Sequence, residues 1–230
     1  MEDYVVPEKI FAPRRMVAIM DATKVGKEWF FVVRDPHKKE NVYSKVVQFE
    51  STYCYQLAMQ DLKERGFDVV AVVGDGKIAV SWLFKGLPIQ MCHFHMKQII
   101  IRCITRNPIL PAGIELLEII NTLTFSTEKE FTLLYVNWCK KWDKFLKEKS
   151  VNPKTGRPVA THRKLISARG SIKRHLPFLF TFEKYTHLNI PNTTNSLDGS
   201  FKKLKTSIAV HAGLSRERKL KMVKTLLNGK

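Results

Sequence analysis

The chain has 230 residues, 44% of them hydrophobic, which excludes a disordered polymer and allows one large domain or two small ones. Lys and Arg outnumber Asp and Glu by 39 to 21, a formal charge of +18 that points to a polyanion partner, nucleic acid first and a membrane surface second. No run approaches the roughly 20 apolar residues of a membrane-spanning helix. The start, Met1-Glu-Asp-Tyr, lacks the parts of a signal peptide, and Cys54, Cys92, Cys103 and Cys139 have no paired spacing, so a reducing, cytoplasmic and nucleoid-associated setting is expected.

A leader, residues 1–15, contains Pro7 and Pro13. Met16–Met20 then reads as a strand that delivers Asp21 to its end, and Trp29–Val33 as its hairpin partner across a turn containing Gly26. Val42–Val47 adds a third strand, so the first acid sits on an interior strand of an antiparallel meander. Ser51 caps a helix to about Arg65, with Cys54, Leu57, Ala58 and Leu62 on one apolar face. Val69–Val73 is continuously apolar, as a strand covered on both faces must be, and is expected to join the meander in parallel by a right-handed crossover.

Asp75 follows that strand between Gly74 and Gly76, in the crevice where open α/β sheets collect functional groups. The two glycines allow a sharp turn and a close approach by a hydrated metal or a phosphate, although Gly-Asp-Gly is also ordinary turn chemistry. A short helix is expected over Lys77 to Phe84, a fifth strand over Pro88–Cys92, and a helix from Phe94 to Arg106.

From 107 to 190 the pattern is helical, with stretches at Ile114–Leu123, Thr127–Lys149 and Thr161–Leu179 and a loop at Asn152–Pro158. Phe131, Leu134, Tyr135, Trp138, Trp142 and Phe145 recur at three and four, which predicts core packing in preference to base stacking. Trp29 and Trp82 also read as core. A last helix, capped among Asn192, Thr193 and Thr194, buries Leu197, Phe201, Leu204 and Ile208 and presents Asn195, Asp198, Lys202 and Lys205 on the adjacent polar face. From Ser200 onward nine basic residues face one acid, Glu217, either as a phosphate-binding surface or as a solvated cationic face.

Asp21, Asp75 and Asp198 are then three acids at two strand ends and on a late helix. Such a set suits two-metal phosphoryl chemistry, in which carboxylates hold a pair of magnesium ions over a phosphodiester. The order of elements is that of the ribonuclease H-like fold, and the motifs resemble the DDE transposases of the Mutator-like group. The matching pieces are Met20-Asp21-Ala22-Thr23, Val73-Gly74-Asp75-Gly76, Cys92-His93-Phe94-His95, Asn192 to Phe201 with Leu204-Lys205, and His211-Ala-Gly213-Leu214. They span about Val17 to Leu227.

The resemblance implies a mixed five-stranded α/β sheet flanked by helices, with an all-α insertion before the last catalytic helix. The divisions are 1–15, 16–106 for the first part of the core, 107–190 for the insertion, and 191–230 for the last catalytic helix and a basic C-terminal helix. It implies Asp21, Asp75 and Asp198 as catalytic metal ligands, Mg2+ or Mn2+ as cofactor, and double-stranded DNA, both transposon ends and target, as partner, with multimers assembling on that DNA. Cys92, His95, Asn195, Lys202 and Lys205 are the expected DNA-positioning residues. His93 reads as a structural bystander. Zinc at Cys92 and His95 lacks a second ligand pair.

Two features depart from the family. Its third acid is usually glutamate, one methylene longer than Asp198, and its members carry an upstream DNA-binding domain. The chain is therefore expected to be a fragment, a truncated copy, or a core that relies on other contacts. A catalytically impaired DNA-binding relic and a ribonuclease H-like nuclease are the competing readings.

Overall fold

The computed structural model describes residues 6, 10–76 and 83–228. The strands β1 (Arg15–Val25), β2 (Glu28–Asp35), β3 (Glu40–Val47), β4 (Asp68–Gly74) and β5 (Ile89–Met91) form one sheet in the order β3-β2-β1-β4-β5. The first three pair antiparallel, whereas β4 runs parallel to β1 and β5 parallel to β4. This is the strand order and direction of a ribonuclease H-like sheet. β1 occupies its centre because the meander grows from one edge of it and the crossover through α1 (Thr52–Glu64) returns to the other.

Strand alternation divides the core into two layers. Met16, Ala18 and Met20 of β1, with Phe31 and Val33 of β2, face α1, where they pack with Cys54, Tyr55, Ala58 and Leu62. Val17 and Ile19, with Phe30, Val32, Ala71 and Val73, face the opposite side and pack with Leu197, Phe201 and Leu204 of α8 (Asn195–Val210) and with Val223 and Leu227 of α9 (Arg216–Asn228). The expected buried stripe on the late helix is present at Leu197, Phe201 and Leu204, and Ile208 lies half-buried at its end.

Between β5 and α8 lie α2 (His93–Ile104), α3 (Pro111–Thr122), α4 (Glu128–Lys141), α5 (Asp143–Leu146), α6 (Arg163–Leu179) and α7 (Thr181–Lys184). They enclose a separate core of Met96, Ile100, Leu116, Phe131, Trp138, Leu165, Ile172 and Phe180. Phe131, Tyr135 and Trp138 are buried there, as the periodicity predicts, and Trp142 and Phe145 are half-buried, whereas Leu134 is exposed. Thr127 and Glu130 form a reciprocal capping box that starts α4.

The helix expected over Thr127–Lys149 is interrupted at Trp142, which leaves helical geometry while its indole Nε1–H donates to Glu115 Oε2 at 2.7 Å. The region is also not wholly helical. Lys149–Val151 (β6) and Pro158–Ala160 (β7) form a two-stranded antiparallel ribbon around the expected loop. Most of the leader, most of the helix expected at Lys77 to Phe84, and Trp82 lie outside the described residues. All four cysteines are free, and among the described residues no helix is long and apolar enough to cross a membrane.

Candidate active site

Asp21 is not at a strand end as expected, because β1 continues to Val25 and Asp21 still pairs with Val32 of β2. The physical end lies on the other side. Parallel pairing of β1 with β4 stops at Ile19 and Val73, so the backbone beside Asp21 is open toward the mouth of the sheet. Alternation from Val17 and Ile19 directs Asp21 to the face covered by α8. Its Oδ1 accepts the Ala22 N–H at 2.8 Å. Burial raises its pKa from the ordinary 3.8 to about 7, with Glu50 and Asp198 pushing the same way and His95 and the Ala22 N–H opposing. A carboxyl so placed holds its proton near neutrality unless a cation arrives.

Asp75 leaves the strand geometry that ends at Gly74, so alternation no longer assigns it a face. Its charge acts on the Tyr55 hydroxyl, as do those of Glu50 and Asp21. Burial first, then these three carboxylates, push the Tyr55 pKa upward. The Tyr55 hydroxyl donates a hydrogen bond to Glu50 Oε1. Glu50 and Tyr55 are the acidic and phenolic neighbours that the sequence reading missed. A signal for Glu50 exists, because β3 runs in the same direction as β1 and the residues following it arrive at the same end of the sheet as Asp21.

The glycines around Asp75 have a different basis from the one expected. Neither has a positive φ. A Cβ on Gly76 would lie 2.6 Å from Met91 Cε and 2.9 Å from His175 Nε2, and one on Gly74 would lie 3.4 Å from the Met20 carbonyl oxygen. The space beside Gly76 is therefore filled by the protein itself. His175 on α6 lies with Nε2 2.9 Å from the Gly76 carbonyl oxygen and Nδ1 2.8 Å from that of Ser171, tying the helical region to the end of β4.

Asp198 lies in the first turn of α8, whose N-cap is Thr194. The fully buried Thr194 donates its hydroxyl to Asp198 Oδ2 at 2.8 Å, and its backbone N–H points to Cys92 Sγ at 3.3 Å. Cys92, at the end of β5, thus anchors the helix that carries the acid. Burial opposes ionisation of its thiol, but the neighbouring His95 and the Thr194 hydroxyl bring the pKa below the ordinary thiol value. The contact with Cys92 raises the His95 pKa to about 9, against its burial and with help from Asp21 and Asp198. Cys92 is fully buried, with its sulphur against the hydroxyl and backbone N–H of Thr194. His93 is buried among Phe180 and Phe182 with Nε2 2.6 Å from the Leu179 carbonyl oxygen, consistent with the structural role expected of it.

Asp21, Ala22, Thr23, Asp198, Phe201, Lys202, Lys205 and Thr206 line one open cleft of about 390 Å³. The structure therefore brings Asp21 and Asp198 together with Lys202 and Lys205, whose exposed side chains make no ion pair among the described residues. Asp75, Cys92, His95 and Asn195 do not line this cleft. Asn195 is exposed at the start of α8. Among the described residues no group of three or more His, Cys, Asp or Glu side chains is arranged to hold a metal ion. Two carboxylates, one of them largely desolvated, fit a hard divalent cation in donor chemistry. They do not by themselves complete its ligand shell. Cys92 turns its sulphur to the Thr194 N–H at the α8 N-terminus, and among the described residues no second ligand pair joins it and His95 to make a zinc site.

No protein-family model matches the chain, and no curated protein does. Among solved structures it is similar to one described as the crystal structure of the catalytic core domain of BIV integrase in crystal form I. The two are 13% identical, over 74% of this chain and 93% of that chain, with a TM-score of 0.28. A score that low adds no weight, and the ribonuclease H-like assignment rests on the order and direction of the five strands.

Proposed function

We propose that the chain is the catalytic region of a DDE-type DNA transposase similar to the Mutator-like group, cleaving and joining DNA strands with a divalent cation. The observation that carries this reading is the pairing of Asp21 with Asp198 in one cleft rimmed by Lys202 and Lys205. Asp21 and Asp198 would hold the cation, and Asp75, whose charge acts on Tyr55 together with that of Asp21, would complete the set. The bound cation would activate water or a 3′-hydroxyl and offset charge on the phosphate. The protein's own contributions would be the desolvation of Asp21, the hydrogen bond to Asp198, and two cleft-lining lysines that would pair with the DNA backbone.

The test is plasmid nicking in magnesium or manganese by the wild type and by Asp21→Asn, Asp75→Asn and Asp198→Asn. Cation-dependent nicks that each substitution lowers by at least 100-fold are expected. Equal nicking by wild type and variants would end the catalytic assignment. A second reading, a DNA-binding relic of the same fold, is favoured by the incomplete cation shell. It would show salt-dependent DNA binding with no nicking in either metal.

A further inference from the structure

The ribbon of β6 and β7 lies outside the site described above, and nothing in the catalytic reading uses it. Its three residue pairs, Lys149 with Ala160, Ser150 with Val159 and Val151 with Pro158, form a sheet of their own, and β6 is exposed throughout. An isolated two-stranded ribbon is marginally stable in water. This one is held at both ends.

At the base, the Thr161 N–H donates to the Glu148 carbonyl at 3.0 Å, His162 Nε2 meets Glu148 Oε2 at 2.9 Å, and the His162 ring stacks on Phe145 at 3.7 Å. At the tip, the Asn152 N–H donates to the Arg157 carbonyl at 2.9 Å and the Gly156 N–H to the Asn152 carbonyl at 2.8 Å. Asn152 Oδ1 accepts the Lys154 N–H at 2.9 Å, and Gly156 adopts a φ of 65°, which only glycine takes without strain.

The charge on this rigid finger is one-sided. Between 147 and 164 the basic residues are Lys147, Lys149, Lys154, Arg157, Arg163 and Lys164, against the single acid Glu148. Glu148 is engaged at the base by His162, and Lys147 is paired with Asp143. Lys149, Lys154 and Arg157 are exposed and make no ion pair among the described residues. Val151 is 68% exposed beside them.

From these features we propose that the ribbon is a duplex-DNA-binding element that lies in the major groove, with Lys149, Lys154 and Arg157 toward phosphates and Val151 toward the base edges. Paired strands spaced about 4.8 Å apart fit, with their side chains, the groove of about 12 Å in B-form DNA. The deep, narrow major groove of duplex RNA does not admit them. Backbone hydrogen bonds at base and tip order the ribbon before it docks, which removes the cost of ordering that loop on binding. The choice of DNA rests on the function proposed above, but the ribbon's role does not depend on the three aspartates.

The experiment uses the full chain and its triple variant Lys149→Gln, Lys154→Gln, Arg157→Gln, binding a labelled 30-base-pair DNA and the matching RNA duplex between 50 and 300 mM salt. A thermal melt of each variant checks that the exposed substitutions leave the fold intact. The expected result is a salt slope lower by about 2 to 3 for DNA, a loss of roughly 10- to 100-fold in affinity near physiological salt, and no comparable change for RNA. A second variant, Val151→Asp, is expected to weaken DNA binding at least fivefold without changing the triple variant's residual affinity. An unchanged slope in the triple variant overturns the proposal, as does an equal loss for RNA. Absent nicking with a ribbon-dependent slope would sink the transposase reading alone, and nicking with an unchanged slope would sink the ribbon alone.

Discussion

Asp21 gives a measurable handle on the cleft through the dependence of stability on pH. Its pKa stands at about 7 in the folded chain against an ordinary 3.8, with burial as the main cause. The folded state therefore binds more protons than the unfolded one across that interval, and stability falls as pH rises from 3.8 through 7. About three pKa units at 1.36 kcal/mol each set a ceiling of ~4 kcal/mol, and solvent at the open mouth of the cleft reduces this to roughly 2–4 kcal/mol.

Asp21→Asn keeps the size of the side chain and an oxygen for the Ala22 N–H while removing the titration. The variant should exceed the wild type by about 1 kcal/mol at pH 5 and by about 2–4 kcal/mol at pH 8 in urea denaturation without divalent ions. Magnesium should raise the wild-type melting temperature at pH 8 and leave that of the variant unmoved. A gap that stays constant from pH 5 to 8, or a less stable variant at pH 8, would refute the account of Asp21 as a desolvated carboxyl awaiting a cation.

Thr194→Val removes the hydroxyl that Asp198 accepts, and should cost about 1–2 kcal/mol in urea denaturation and raise the magnesium concentration needed for half-maximal nicking. Thr194→Ser should restore both, and equal behaviour of Val and Ser would dismiss the hydrogen bond. Gly76→Ala forces His175 from one of its two carbonyl partners, and a loss of about 1–3 kcal/mol is expected. Gly170→Ala, with nothing within 4 Å of the added methyl, should instead gain about 0.5–1 kcal/mol. Melting curves of the two alanine variants moving in the same direction would contradict this. Trp138→Ala, which empties a fully buried site and frees the Ala112 carbonyl, should destabilise by about 3–5 kcal/mol, whereas the exposed Leu133→Ala should change stability by less than about 1 kcal/mol. A folded Trp138→Ala that had lost only DNA affinity would restore base stacking as that tryptophan's role.

Residue pattern alone announced the sheet and its attached helices. Continuous hydrophobicity at Val69–Val73, alternation through the meander, and the three- and four-residue spacing of Phe131, Tyr135 and Trp138 are local signals, each legible because burial on a strand or helix repeats with the element's own period. The same spacing placed Asp198, Lys202 and Lys205 along one side of a helix. It missed the break at Trp142, a residue whose indole bonds Glu115 on another helix.

What a one-dimensional pattern does not encode is where elements end relative to one another and what fills the space between them. The open flank of Asp21 arises because β4 stops pairing at Ile19 while β2 continues. The need for glycine at 76 comes from His175, nearly one hundred residues away, and the bond from Thr194 to Asp198 is braced by Cys92 from a different strand. Which acids were present was readable from the chain. Which share a cleft, and which is desolvated enough to keep its proton near pH 7, depended on long-range packing, because charge burial is a property of the assembled surface and not of any stretch of sequence.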